Sequence, residues 1–150
     1  MSPQAGADWY VLRVELVSGG GRELESPPGR DLLVSARHSY GQLADAINAA
    51  FARWDLSHVY LFHLPDGTEV GPDLDGPEVK EATRTKLGAR EPGEAFGYEF
   101  DLGDSWMHRC TVLETGVDPE ETYGEAPRTP VAVWGWGDIP DQYGRTTPES

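Results

Sequence analysis

The segment FGYEFDLGDSWMHRCTVLE, residues 96–114, constrains the fold of this chain more than any other feature. Apolar and polar residues alternate on both sides of the short Gly-Asp-Ser sequence. Alternation with period two places successive side chains on opposite faces of a strand, and Gly-Asp-Ser is typical of a tight turn. We therefore predict a β-hairpin whose second strand directs Trp106, His108 and Cys110 toward the core.

Three further segments have the composition of strands. Residues 9–17 alternate in the same way as the hairpin, and residues 31–36 and 57–64 are rich in β-branched, aliphatic and aromatic side chains. Together with the hairpin they predict a mixed, mostly antiparallel sheet. The fold class predicted for the chain is α+β, an α/β roll with one main helix.

That helix is predicted from the sequence HSYGQLADAINAAFARWD, residues 38–55. Ser39 and Gln42 have the spacing of a capping box, in which each side chain bonds a free backbone N–H of the first turn. An apolar stripe follows at steps of three and four residues. It consists of Tyr40, Leu43, Ile47, Ala50, Phe51 and Trp54. We expect this amphipathic helix to pack its stripe on one face of the sheet.

The length of 150 residues predicts a single domain over 1–150. Its core is expected to span residues 9–114. Residues 115–150 form a tail rich in proline and glycine that also contains Trp134 and Trp136. Because indole rings lose a large burial energy in solvent, we expect the tail to pack back on the domain.

Composition restricts the function. The formal net charge is −14, with 26 acidic residues against 12 lysines and arginines. Affinity for nucleic acid comes largely from cations that contact phosphates, so this balance disfavours direct nucleic-acid binding and suits a protein partner. The single cysteine excludes an intramolecular disulfide and the common cysteine-rich zinc sites. No cofactor is expected from the sequence.

The sequence also predicts a cytoplasmic protein. The N-terminal sequence MSPQAGADWY has neither the charged nor the apolar region of a secretory signal peptide. No apolar run approaches the roughly 20 residues that a membrane-spanning helix requires.

Two groups of residues form distinctive motifs. The first, in the hairpin, consists of Tyr98, Phe100, Asp101, Gly103, Asp104, Trp106, His108 and Glu114. The second, at the end of the predicted helix, consists of Trp54, Asp55, Ser57 and His58. Together they resemble the Ri-plasmid ORF-3-like family, which is also labelled the transposable-element passenger TnpR family. The resemblance extends from residue 9 to about residue 114 and implies an α+β fold without an established activity.

The passenger label suggests a resolvase, and the sequence does not support that activity. Serine recombination requires an activated serine within a cluster of arginines. No such cluster accompanies the serines at positions 18, 35, 39 or 105.

Polar and aromatic residues of both motifs and of the tail are the candidates for a ligand or partner surface. They are Asp101, Asp104, Trp106, His108, Trp54, His58, Trp134 and Trp136. Asp101, Asp104 and His108 are also the candidate ligands of a metal ion, since carboxylates and imidazoles suit Zn, Mn or Fe. Strand alternation separates Asp101 from His108, however, and the favoured interpretation is structural. Asp104 would close the turn with an Asx-type hydrogen bond, and His108 would pack beside Trp106.

Three functions remain open from the sequence. The favoured one is a small non-catalytic binding domain that uses a groove between the helix, the hairpin and the tail. The first alternative is metal-assisted hydrolysis by Asp101, Asp104 and His108. The second alternative is an acidic mimic of nucleic acid that sequesters a nucleic-acid-binding protein.

Overall fold

The structure, a computed structural model, describes residues 8–53, 55, 59–72 and 79–140. Within these residues the chain forms nine strands and two α-helices. The strands are β1 (Trp9–Gly19), β2 (Arg22–Glu23), β3 (Gly29–Ser35), β4 (Tyr60–His63), β5 (Glu69–Gly71), β6 (Val79–Glu81), β7 (Ala95–Phe100), β8 (Trp106–Thr115) and β9 (Val131–Trp136). The helices are α1 (Tyr40–Ala50) and α2 (Pro119–Tyr123), and a short 3-10 turn spans Ala82–Arg84.

All nine strands belong to one sheet. Its order is β6-β5-β4-β7-β8-β1-β3-β9, with β2 paired to the end of β1. Every pair is antiparallel except β5 with β6. The predicted hairpin is β7–β8, with a turn at 101–105. The mostly antiparallel sheet and its single main helix confirm the predicted α+β class.

Helix α1 begins with the predicted capping box. Ser39 Oγ accepts a hydrogen bond from the Gln42 N–H at 3.1 Å, and Gln42 Oε1 accepts one from the Ser39 N–H at 2.9 Å. The helix ends at Ala50, earlier than the apolar stripe predicted. Ala52 has a φ of 55°, a left-handed conformation that stops helical propagation, so Phe51 caps the helix instead of lying within it.

The core lies between α1 and one face of the sheet. Tyr98 ties the two layers together, because its hydroxyl donates to Asn48 Oδ1 of α1 at 2.7 Å. The largest fully buried side chains are Tyr40, Tyr98, Phe51, Phe62, Phe100, Leu12, Leu16, Leu32, Leu33, Leu43, Ile47 and His108. Apart from the adjacent pair Leu32 and Leu33, those in strands alternate along the chain, as expected for a sheet with one covered face. None of the helices in the described residues has the length and apolar character needed to cross a membrane.

The tail contributes β9, which pairs with β3 and forms one edge of the sheet. Trp136 is half-buried, and its Nε1–H donates to the Pro27 carbonyl at 3.1 Å. Trp134 remains 58% exposed. The tail therefore packs on the sheet through Trp136, while Trp134 lies largely in solvent.

Candidate functional site

Asp101 closes the turn of the β7–β8 hairpin. Its Oδ1 accepts hydrogen bonds from the Gly103 N–H at 3.1 Å and from the Asp104 N–H at 3.4 Å. The prediction that Asp104 makes this Asx-type bond is therefore wrong. The reason is that β7 ends at Phe100, so the turn begins at Asp101, whose φ of 63° is one that Asp tolerates.

His108 is a core residue, as predicted. Its Nδ1 lies 3.1 Å from the Tyr98 carbonyl oxygen, which only accepts, so Nδ1 carries the proton. The ring packs edge-on against Phe51, with centroids 5.0 Å apart. Burial lowers the pKa of His108 to about 4, so the imidazole is neutral at pH 7.

Trp106 is buried at the start of β8. Its ring lies against the backbone of Gly19, and the Arg53 guanidinium lies 4.8 Å from its centroid. Within the described residues, the indole N–H of Trp106 and Nε2 of His108 have no hydrogen-bond partner. Both predicted site residues therefore serve packing on the helix side of the sheet.

The candidate metal ligands are not brought together. His108 faces the core, whereas the Asp101 carboxylate bonds the backbone of its own turn. No group of three His, Cys, Asp or Glu side chains in the described part of the chain could hold a metal ion. Trp54 and His58, also predicted as site residues, lie outside the described residues.

Cys110 is buried in the middle of β8. Burial raises the pKa of its thiol far above the ordinary value, which keeps the sulfur protonated. A protonated, inaccessible thiol is a poor nucleophile, in agreement with its interpretation as a small core residue.

The opposite side of the sheet carries a different set of side chains, here called the outer face. Within the described residues no helix covers it, and most of its side chains are partly or fully exposed. Leu33 is buried further along β3 on this side, so the open area lies mainly over β1, β4, β7 and β8. The outer face includes Arg13, Glu15, Val17, Asp31, His63, Glu69, Gly97, Glu99, Met107, Arg109, Trp134 and Trp136.

Arg13 organises one end of the outer face. Its Nε and Nη2 donate to the two carboxylate oxygens of Asp31 at 2.9 and 3.0 Å. The same guanidinium lies 4.7 Å from the Trp136 ring centroid and 5.6 Å from that of Trp134. The hydrogen bond with Asp31 raises the pKa of Arg13. The result is a fixed stack of one cation and two indoles.

His63 organises the other end. Its Nδ1 lies 3.3 Å from Glu69 Oε2, and its Nε2 lies 3.0 Å from Glu99 Oε1. Ser105 donates its hydroxyl to Glu99 Oε2 at 2.8 Å. Because Ser105 bonds a carboxylate and not the imidazole, this chain of hydrogen bonds is not a serine–histidine nucleophile pair.

Between these two ends the outer face has a shallow cavity of about 320 Å³. Residues from three neighbouring strands line it, and we call this cavity the Gly97 notch. Its lining includes Val17, Ala95, Gly97, Met107 and Arg109. Of the predicted site residues that the structure describes, only Trp134 and Trp136 lie on the outer face. For the other residues of the outer face, strand alternation indicates which side chains share a face. Their proximity to one another comes from the pairing of the strands.

The protein is of the α+β class, with a mostly antiparallel sheet that has one main helix on one face and an exposed polar face opposite. The chain belongs to the family of plasmid pRiA4b ORF-3-like proteins, whose model matches residues 9–142. The match extends past the motif residues and includes β9. None of the curated proteins that were compared with the chain matches it.

The fold is also similar to a solved structure. The protein of unknown function MM3350 from Methanosarcina mazei Go1 superposes with a TM-score of 0.65 at 18% sequence identity. The alignment covers 85% of this chain and 68% of that one. The similarity shows a shared fold.

Proposed function

We propose that the chain is a non-catalytic binding domain that holds a basic peptide or protein partner on its outer face. The observation that carries this proposal is the contrast between the two sides of the sheet. One side is a dry core against α1, and the other exposes arginine, glutamate, methionine and tryptophan side chains over several adjacent strands. Exposed aromatic, methionine and arginine side chains are enriched at protein interfaces.

The charge of the outer face supports a basic partner. Its acidic residues are Glu15, Asp31, Glu69 and Glu99, and they outnumber Arg13 and Arg109. Arg13 is already paired with Asp31. The whole chain carries a formal charge of −14, which attracts a cationic partner during diffusional encounter.

The same side chains support binding without catalysis. The serine hydroxyl and the imidazole on this face each bond carboxylates, and the cysteine thiol is buried in the core. Such hydrogen bonds fix side chains in place, and fixed side chains bind a partner at lower entropic cost.

The proposal is tested with a short fluorescent peptide of alternating arginine and serine, whose affinity is measured by anisotropy. Two double variants remove the same charge at different places. Glu15→Gln with Glu69→Gln neutralises the outer face, and Glu120→Gln with Glu121→Gln neutralises α2, which lies outside the sheet. We expect the first pair to weaken binding by about fivefold and the second by less than about twofold.

Equal weakening by the two pairs would show attraction by net charge alone and would overturn the proposal. Absence of saturable binding to the unmodified chain would overturn it as well. Thermal unfolding of both double variants serves as the control for folding, since all four glutamates are at least partly exposed.

A further inference from the structure

Two glycines in the sheet are covered by tryptophan rings, and each ring is in turn covered by an arginine. At Gly29, a Cβ atom would lie 2.2 Å from Cη2 of Trp136, so the indole fills the space above the glycine. The Arg13 guanidinium lies 4.7 Å from the centroid of that ring. One indole thus lies against both a strand glycine and a guanidinium.

The same grouping of glycine, indole and guanidinium recurs on the helix side. At Gly19, a Cβ atom would lie 2.0 Å from Cε3 of Trp106. The Arg53 guanidinium lies 4.8 Å from the centroid of the Trp106 ring. Two sites in this fold therefore place an aromatic ring against a strand glycine, with an arginine guanidinium over the same ring.

Gly97 is a third strand glycine, and it lines the Gly97 notch. A Cβ atom at this position would meet only ordinary contacts, 3.7 Å from His63 Cβ and 3.8 Å from Met107 Cε. Its cross-strand neighbour is Arg109, an exposed residue that lines the same cavity. The cavity of about 320 Å³ lies at the lower end of the range of about 300–1,000 Å³ that is typical of ligand sites.

We propose that the Gly97 notch binds an aromatic side chain of the basic partner. This inference rests on the proposed function and specifies how the partner is anchored. The ring would lie flat on the Gly97 backbone, with Arg109 able to stack on it and the Met107 thioether at its edge. Both interactions favour aromatic over aliphatic groups.

The surroundings of the notch select the partner's neighbouring residues. Glu15 faces Arg109 across the β1–β8 pair, and Glu99 faces Met107 across the β7–β8 pair. These carboxylates flank the notch on two sides and suit arginine or lysine next to the aromatic residue. The recognised chemistry is therefore an aromatic residue beside basic residues.

The test compares two versions of the arginine–serine peptide, one with a central tryptophan and one with leucine at that position. Both are titrated into the unmodified chain and into the variant Gly97→Val. Valine fills the notch, suits a strand, and meets only ordinary contacts at Cβ. We expect the unmodified chain to prefer the tryptophan peptide by about tenfold, and Gly97→Val to abolish this preference while still binding both peptides.

The outcomes separate this inference from the proposed function. If both peptides bind equally and Gly97→Val changes nothing, the notch is not the anchor, while the outer face remains the binding surface. If Gly97→Val weakens both peptides to the same extent, the effect is general and the inference fails. If neither peptide binds, the proposed function fails. The notch alone is then probed with N-acetyl-tryptophanamide, for which amide shifts at Gly97 and Arg109 support it and their absence overturns it.

Discussion

The indole of Trp136 occupies the space in which a side chain at position 29 would lie. Gly29→Ala should therefore push the ring away and lower the free energy of unfolding by about 1–3 kcal/mol. Urea denaturation measures the loss. The matched change Gly97→Ala adds the same methyl group at a position where it makes only ordinary van der Waals contacts. It should leave the free energy of unfolding unchanged or raise it by up to about 1 kcal/mol. Similar losses in both variants would contradict this description of the two glycines.

His108 makes stability depend on pH. Burial lowers its pKa to about 4 from an ordinary value of 6.5, so between these values the folded state binds fewer protons than the unfolded state. The contribution is complete above pH 6.5 and is lost as the pH falls toward 4, by about 3 kcal/mol in total. His38, whose pKa is also lowered by burial, acts in the same direction.

The measurement is the free energy of unfolding at several pH values between 6.5 and 4. The variant His108→Asn keeps a donor near the Nδ1 position and removes the titrating ring. Its stability should fall less steeply with decreasing pH than that of the unmodified chain. An unchanged slope would show that the pKa of His108 is the same in the folded and the unfolded state.

The hairpin turn depends on Asp101 and not on Asp104. Asp101→Ala removes the acceptor of two backbone N–H groups and places alanine at a φ of 63°, so we expect a loss of about 1–3 kcal/mol. Asp104→Ala should change stability by less than about 0.5 kcal/mol, because the N–H that bonds Asp101 and the carbonyl that bonds Gly20 both belong to the backbone of Asp104. Thermal denaturation of the two variants gives the comparison, and a larger loss for Asp104→Ala would reverse the assignment.

Arg13 is not replaceable by lysine. Arg13→Lys loses the bidentate bond to the buried Asp31 carboxylate and the stack on Trp136, and should cost about 1–2 kcal/mol. Arg109→Lys, on the same face but exposed, should be nearly neutral for stability. Chemical denaturation distinguishes them. Equal stability of Arg13→Lys and the unmodified chain would show that the stack contributes little.

Local patterns predicted much of this fold. Alternation in 96–114 gave the hairpin and the direction of Trp106 and His108, and the capping box gave the start of α1. The bond of Asp101 was missed because alternation does not fix the residue at which a strand ends. The turn was expected to begin at Gly103, but β7 ends at Phe100. This difference of two residues makes Asp101 the Asx acceptor in place of Asp104.

The outer face was missed for a different reason. His63 and Glu99 are 36 positions apart, and only the β4–β7 pairing brings them into contact. Gly97 lies within an alternating strand and Gly29 follows two prolines, and neither context indicates which glycine an aromatic ring covers. The difference arises from β9, whose pairing with β3 places Trp136 over Gly29. Among the described residues, no such ring lies over Gly97, which lines the Gly97 notch.

The binding face itself is tested most directly by mapping backbone amide shifts during titration of isotope-labelled protein with the tryptophan-bearing arginine–serine peptide. The account predicts saturable shifts concentrated in residues 13–17, 95–99 and 107–111, with α1 and α2 little affected. Shifts confined to α2 and the loops, or a titration without saturation, would contradict the claim that the outer face of the sheet is a binding surface.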